Sequence, residues 1–230
     1  MNIARILYPV EVLGPGHRIG LWLCGCNRAC KGCSNPELWQ RRPEFELPVS
    51  DIMTLIRKIA VSHPVDGFTI SGGEPMDQSE ELATLLMQLS SISNDILVYS
   101  GYTLSELRAK TSSSVNMVLH SIAVLIDGQY IEDLNDNSLL RGSANQNIHV
   151  LNPAFDSLYK EYLSNTSNRI QSYDGEFRLP LVLAQASQIC IVYTFFCILP
   201  ERKDVVCNRE TVRPILALGF IDRLLRTLPV

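Results

Sequence analysis

Apolar residues along this chain repeat with two different periods, and the alternation between them predicts its layout. Ile52, Leu55, Ile56 and Ile59 recur at helical spacing, which gives a helix over 49–61 one apolar face. Leu82, Leu85, Leu86 and Leu89 repeat that pattern in a second helix. Asp77, with Glu80 three residues on, reads as the N-cap and capping box of that helix. Between and beyond the helices lie short apolar runs at 18–23, 67–71, 96–100, 123–126 and 148–151, which read as strands. The run 18–23 is the first strand expected, entered through a Gly14-Pro15-Gly16 turn. A short helix is expected over 104–110. Strands alternating with helices predict an α/β domain with a mainly parallel sheet.

Beyond residue 152 the pattern changes. A short helix is expected at 153–163, a hairpin at 169–179 around Asp174-Gly175, and helical spacing returns at 214–228. We therefore divide the chain into a core domain, 1–151, and a C-terminal α+β appendage, 152–230, whose fold the pattern does not fix. Leu179 to Pro200 carries no charge and is long enough to span a bilayer. Gln185, Ser187 and Gln188 interrupt it, and its β-branched and aromatic content suits a buried strand, so membrane insertion is not expected.

Composition narrows the function classes. Of 230 residues, 46% are hydrophobic and 19% charged, ordinary values for a globular protein. A net charge of −4 argues against a nucleic-acid-binding face. The N-terminus shows no secretory-signal pattern, so the chain is expected in the cytoplasm, with its cysteines under reducing conditions. There are seven cysteines, and four of them fall between Cys24 and Cys33, a crowding that suggests a metal site.

Cys26, Cys30 and Cys33 form a C-x3-C-x2-C arrangement in a loop after the first expected strand. Three soft thiolates fit three irons of a [4Fe–4S] cubane and leave the fourth iron open to a ligand. Cys24, two residues before Cys26, could share its face of the strand, but we read it as a buried free thiol. Structural zinc would need a fourth ligand, and His17, His63, His120 and His149 are scattered. Cys190, Cys197 and Cys207 contain no C-x2-C pair and read as packing residues.

A second motif follows at the end of the strand 67–71: Gly72, Gly73, Glu74 and Pro75. Glycines there allow close backbone approach, and Glu74 supplies a carboxylate suited to an ammonium group. The two motifs in this order and spacing resemble the radical S-adenosylmethionine superfamily. Gly32 before the last cluster cysteine, Asn35 and Trp39 after it, and the segments 98–107, 124–134 and 140–151 most resemble its anaerobic ribonucleotide reductase activating proteins.

The resemblance implies a partial (β/α) barrel with its chemistry at the C-terminal strand ends. It implies a cluster on Cys26, Cys30 and Cys33 that chelates S-adenosylmethionine, with Gly72, Gly73, Glu74 and Pro75 at the methionine end. Ser100, Gly101 and Asp127, at expected strand ends, are candidates for contact with the nucleoside. Reductive cleavage would give a 5′-deoxyadenosyl radical that removes a hydrogen from a glycine of a reductase-like partner, and a flavodoxin- or ferredoxin-type protein would supply the electron. The alternatives are a radical enzyme acting on a peptide or small molecule, and a non-enzymatic iron–sulfur carrier.

Overall fold

The computed structural model describes residues 1–164 and Gln171. Its elements run β1 (Ile3–Val10), β2 (Arg18–Leu23), α1 (Val49–Ser62), β3 (Gly67–Gly72), α2 (Ser79–Leu89), β4 (Ile96–Ser100), α3 (Leu104–Ala109), α4 (Ser113–Ser121), β5 (Val124–Asp127), β6 (Asn147–Val150) and α5 (Asp156–Ser164). The strands form one sheet in sequence order, β1 to β6. β2, β3, β4 and β5 are parallel, while β1 and β6 run antiparallel at the edges.

The four parallel strands bring their C-terminal ends into one row. Leu23 pairs with Gly72, and Ser100 with Asp127. Ile70 pairs with Val98, so carrying that register two residues on sets Gly72 opposite Ser100. Loops leaving these strands therefore emerge side by side, where open α/β sheets receive ligands.

Both faces of the sheet are covered. On one face Ile19, Leu21, Phe68, Ile70, Ile96, Val98 and Leu125 pack against the stripes of α1 and α2 and against Val115 and Val118 of α4. On the other face Leu97, Val124 and Ile126 pack against Tyr159 and Tyr162 of α5. At the N-terminal end of the parallel strands lies a buried ion pair. Arg18 is fully buried, with its Nη1 2.6 Å from Asp95 Oδ2. It also donates to Thr69 Oγ1 and to the carbonyls of Pro15 and Phe68, while Tyr159 donates its hydroxyl to Asp95 at 2.7 Å.

The structure differs from the sequence expectations at three places. β1 precedes the strand expected to be first; it is an edge strand interrupted by register shifts, so its apolar pattern is irregular. α4 was not anticipated, because only Val115 and Val118 of its residues are buried. Asp77 does not cap α2: residues 75–78 form a separate 3₁₀ turn, α2 starts at Ser79 without a side-chain cap, and Asp77 accepts a bond from Tyr102. The capping box lies instead at Thr103 and Glu106, at the start of α3. The expected hairpin (apart from Gln171), the helix at 214–228, the uncharged run and Cys190, Cys197 and Cys207 lie outside the described residues. Among the described residues no helix is long and apolar enough to cross a membrane.

Candidate metal centre

Cys26, Cys30 and Cys33 are free and half-buried on the loop that leaves β2. Main-chain bonds fasten the entrance of this loop. Gly25 N donates to Leu38 O and Cys26 N to Trp39 O at 2.8 Å. Ala29 sits at φ 43° and Gly32 at φ 70°, so the chain turns back twice between the first and last thiol. Burial holds the Cys26 thiol above its ordinary value and the Glu74 charge adds to this, while backbone hydrogen bonds from Arg28 and Ala29 favour the thiolate.

The Gly72–Pro75 turn is bolted directly to this entrance. Gly73 N donates to Leu23 O at 2.8 Å and Glu74 N to Gly25 O at 2.7 Å. A Cβ on Gly73 would lie 2.3 Å from Gly25 O, and one on Gly72, at φ 101°, would lie 2.4 Å from Leu23 N and O. The close approach that these glycines permit is therefore to the cysteine loop itself. Pro75 begins the 3₁₀ turn, where its missing N–H costs nothing.

Glu74 is 1% exposed. Its carboxylate accepts from Met76 N at 3.0 Å, Ser100 Oγ at 2.8 Å and Gly101 N at 2.7 Å. Burial raises its pKa against the pull of those three bonds, and Asp77 adds to the rise. Ser100 thus meets Glu74 directly, and its hydroxyl also accepts from Tyr102 N. Asp127 accepts from Leu104 N at 2.6 Å and from Asn147 Nδ2 at 3.1 Å, and lies 2.9 Å from His149 Nε2. Burial opposes its ionisation, but the bonds from Leu104, Asn147 and His149 win and hold its pKa below the ordinary value. The structure therefore brings Glu74, Ser100 and Gly101 into one cluster against the cysteine loop. Asp127 lies beside Ser100 in the strand register, with its carboxylate committed to the start of α3.

An open cleft of about 660 Å³ lies against the cysteine loop, lined by Gly25, Cys26, Asn27, Trp39, Gln40, Arg41 and Asp77. Residues 12–149 match the family described as "4Fe-4S single cluster domain". The anaerobic ribonucleoside-triphosphate reductase-activating protein of Pasteurella multocida (strain Pm70) is 36% identical over 152 residues, covering 62% of this chain and 93% of that protein. The protein of that name from Escherichia coli (strain K12) is 33% identical over 153 residues, covering 63% and 96%. The one from Enterobacteria phage T4 is 31% identical over 153 residues, covering 64% and 93%. This chain belongs to that activating-protein family.

The family's cluster can be tested against the donors present. Three free thiols stand on one short loop, and backbone hydrogen bonds reach Cys26, as suits a cluster thiolate. Among the described residues no three His, Cys, Asp or Glu side chains gather as they would around a single ion. The residues fit the cluster.

Cys24 is fully buried and packs with Trp22 and Leu38. Burial is the main reason its pKa is pushed up to about 11, with the charges of Arg42 and Arg5 opposing. A thiol this reluctant to ionise is a poor ligand. We expect Cys24→Ala to keep the iron content of the unmodified chain after reconstitution, by colorimetric iron assay; loss of the cluster would make Cys24 a ligand.

Two neighbours of the site were not anticipated as site residues. Arg28, inside the cysteine loop, lies 3.7 Å from Glu74 through its Nε, and its guanidinium carbon is 4.1 Å from the centre of the Tyr102 ring. The sequence shows only an arginine in a polar loop, and its partners come from other strands.

Proposed function

We propose that Cys26, Cys30 and Cys33 hold a [4Fe–4S] cluster with which this chain cleaves S-adenosylmethionine to install a glycyl radical on an anaerobic ribonucleoside-triphosphate reductase. One observation carries this reading beyond family membership: the cysteine loop and the Gly72–Pro75 turn are joined main chain to main chain at the ends of adjacent parallel strands. Cofactor groups bound by the two motifs are thereby held at one place.

When bound and reduced, the cluster supplies the single electron that splits the sulfonium C–S bond into methionine and a 5′-deoxyadenosyl radical. A glycine Cα–H of the reductase then gives up its hydrogen atom, leaving 5′-deoxyadenosine and a glycyl radical. In this reading the Gly72–Glu74 segment receives the ammonium end of S-adenosylmethionine. Ser100 holds the Glu74 carboxylate in place, and Asp127 fixes the loop before α3. The row formed by Ser100, Gly101 and Asp127 lies toward the nucleoside. We read the sheet as a section of a (β/α) barrel, closed against solvent by the partner, because a radical needs water excluded. A flavodoxin- or ferredoxin-type protein delivers the electron.

The test is anaerobic: load iron and sulfide, reduce with dithionite, add S-adenosylmethionine, and measure 5′-deoxyadenosine with and without a candidate reductase. Cluster-dependent product, and a glycyl-radical resonance when the reductase is present, are the expected results. A reduced, fully loaded chain that makes neither in the presence of reductase would falsify the reading in favour of a carrier.

A further inference from the structure

Arg28 carries no thiol, yet its side chain reaches three parts of the site, at Glu74, Tyr102 and Gly101. Its Nε faces Glu74 Oε2 at 3.7 Å, and side-chain exposures of 20% and 2% place the pair largely out of solvent. Its guanidinium lies over the ring of Tyr102, whose opposing contacts are also fixed: the hydroxyl donates to Asp77 Oδ1 at 3.0 Å, and Lys110 Nζ stands 3.5 Å from the ring centre. Its aliphatic stem fills the space left by the missing side chain of Gly101. A Cβ there would meet Arg28 Cδ at 2.3 Å and Nε at 2.6 Å. Nε itself is buried without a hydrogen-bond partner among the described residues, so packing and charge hold it rather than a bond.

We infer that Arg28 is a positioning residue: it fixes the middle of the cysteine loop, between Cys26 and Cys30, to the end of β4 through Gly101, Tyr102 and Glu74. The loop's entrance is held by main-chain bonds at Gly25 and Cys26, and its last turn closes on itself through Cys33 N and Cys30 O at 3.2 Å. Between these points Arg28 is the side chain that ties the loop to the strands. A cation over an aromatic ring, partly withdrawn from water, suits that purpose, and its removal would leave the buried Glu74 carboxylate without the cation beside it. The inference rests on the reading of the three cysteines as cluster ligands.

Three variants test it: Arg28→Met removes the charge, Arg28→Lys keeps it, and Gly101→Ala expels the side chain while leaving the Gly101 N–H to Glu74. In the cluster-free chain, amide exchange over residues 26–33 is expected to quicken at least tenfold in Arg28→Met and Gly101→Ala. The double variant should be no faster than either, and Arg28→Lys should lie between. After reconstitution, the same order is expected in retained iron and in broadening of the reduced cluster's electron paramagnetic resonance signal. Exchange and signal in Arg28→Met identical to the unmodified chain overturn the inference, as do additive effects in the double variant. An unmodified chain that takes up no iron and sulfide at all overturns the parent reading instead, while the exchange measurement on the cluster-free chain still decides the role of Arg28.

Discussion

Cys30→Ala is expected to retain no cluster after anaerobic reconstitution and to make no 5′-deoxyadenosine above background. Cys30 is the middle thiol of the three, following the left-handed residue Ala29 and one tight turn before Cys33. Its loss leaves two thiolates for a cluster that our reading anchors at three corners. Cys24 is the nearest spare sulfur in sequence, but it faces the apolar pocket of Trp22 and Leu38, and its peptide is held from both sides. Its N–H donates to Asn2 O and its carbonyl accepts from Gln78 Nε2. It cannot swing to the cluster without breaking that anchor. Iron and sulfide assays with the absorbance of the cluster provide the check, and a variant with full iron content and undiminished product would remove Cys30 from the ligand set.

Asp95→Ala is expected to lower the folding stability of the cluster-free chain by about 3–5 kcal/mol, read as a fall in the denaturant midpoint. The loss comes from what remains. Arg18, with no exposed side-chain surface, keeps its charge but loses the carboxylate, and Tyr159 loses the acceptor of its hydroxyl. Arg18→Met combined with Asp95→Ala should recover part of the loss, since no unpaired charge stays buried. Recovery stays incomplete because Arg18 also serves the carbonyls of Pro15 and Phe68 and the hydroxyl of Thr69. An Asp95→Ala midpoint unchanged from the parent chain would show that the pair contributes nothing to stability.

The sequence disclosed most where one residue type answers one demand. The stripes Ile52-Leu55-Ile56-Ile59 and Leu82-Leu85-Leu86-Leu89 face a single packed layer, so their period survives as a readable pattern. Three clustered cysteines and the Gly-Gly-Glu-Pro turn likewise stand out without any structure. What stayed hidden depends on partners distant in the chain. Asp77 has the residue type of a helix cap, but Tyr102 claims its carboxylate and the backbone spends residues 75–78 on a 3₁₀ turn. β1 lies at an edge, with two register shifts that blur its alternation. Gly72 and Gly73 were legible as sites of close approach, and Gly101 as a candidate site residue. What approaches them, the Leu23–Gly25 backbone and the Arg28 side chain, was not.

The seam between the cysteine loop and the Gly-Gly-Glu-Pro turn sets how freely this site can drift over evolutionary time. Because Leu23, Gly25, Gly73 and Glu74 meet through peptide groups, the hydrogen bonds of the seam themselves ask for no particular side chain. Gly25, Gly72 and Gly73 are the exceptions, since Gly25 sits at φ 100° and at Gly72 and Gly73 a single methyl group would part the surfaces; Glu74 is held by its buried carboxylate as well. Relatives in this family are therefore expected to vary at 23 and to keep the glycines. A library that randomises 23, 25 and 72–74 should return functional clones that vary at 23 but keep glycine at 25, 72 and 73 and an acid at 74.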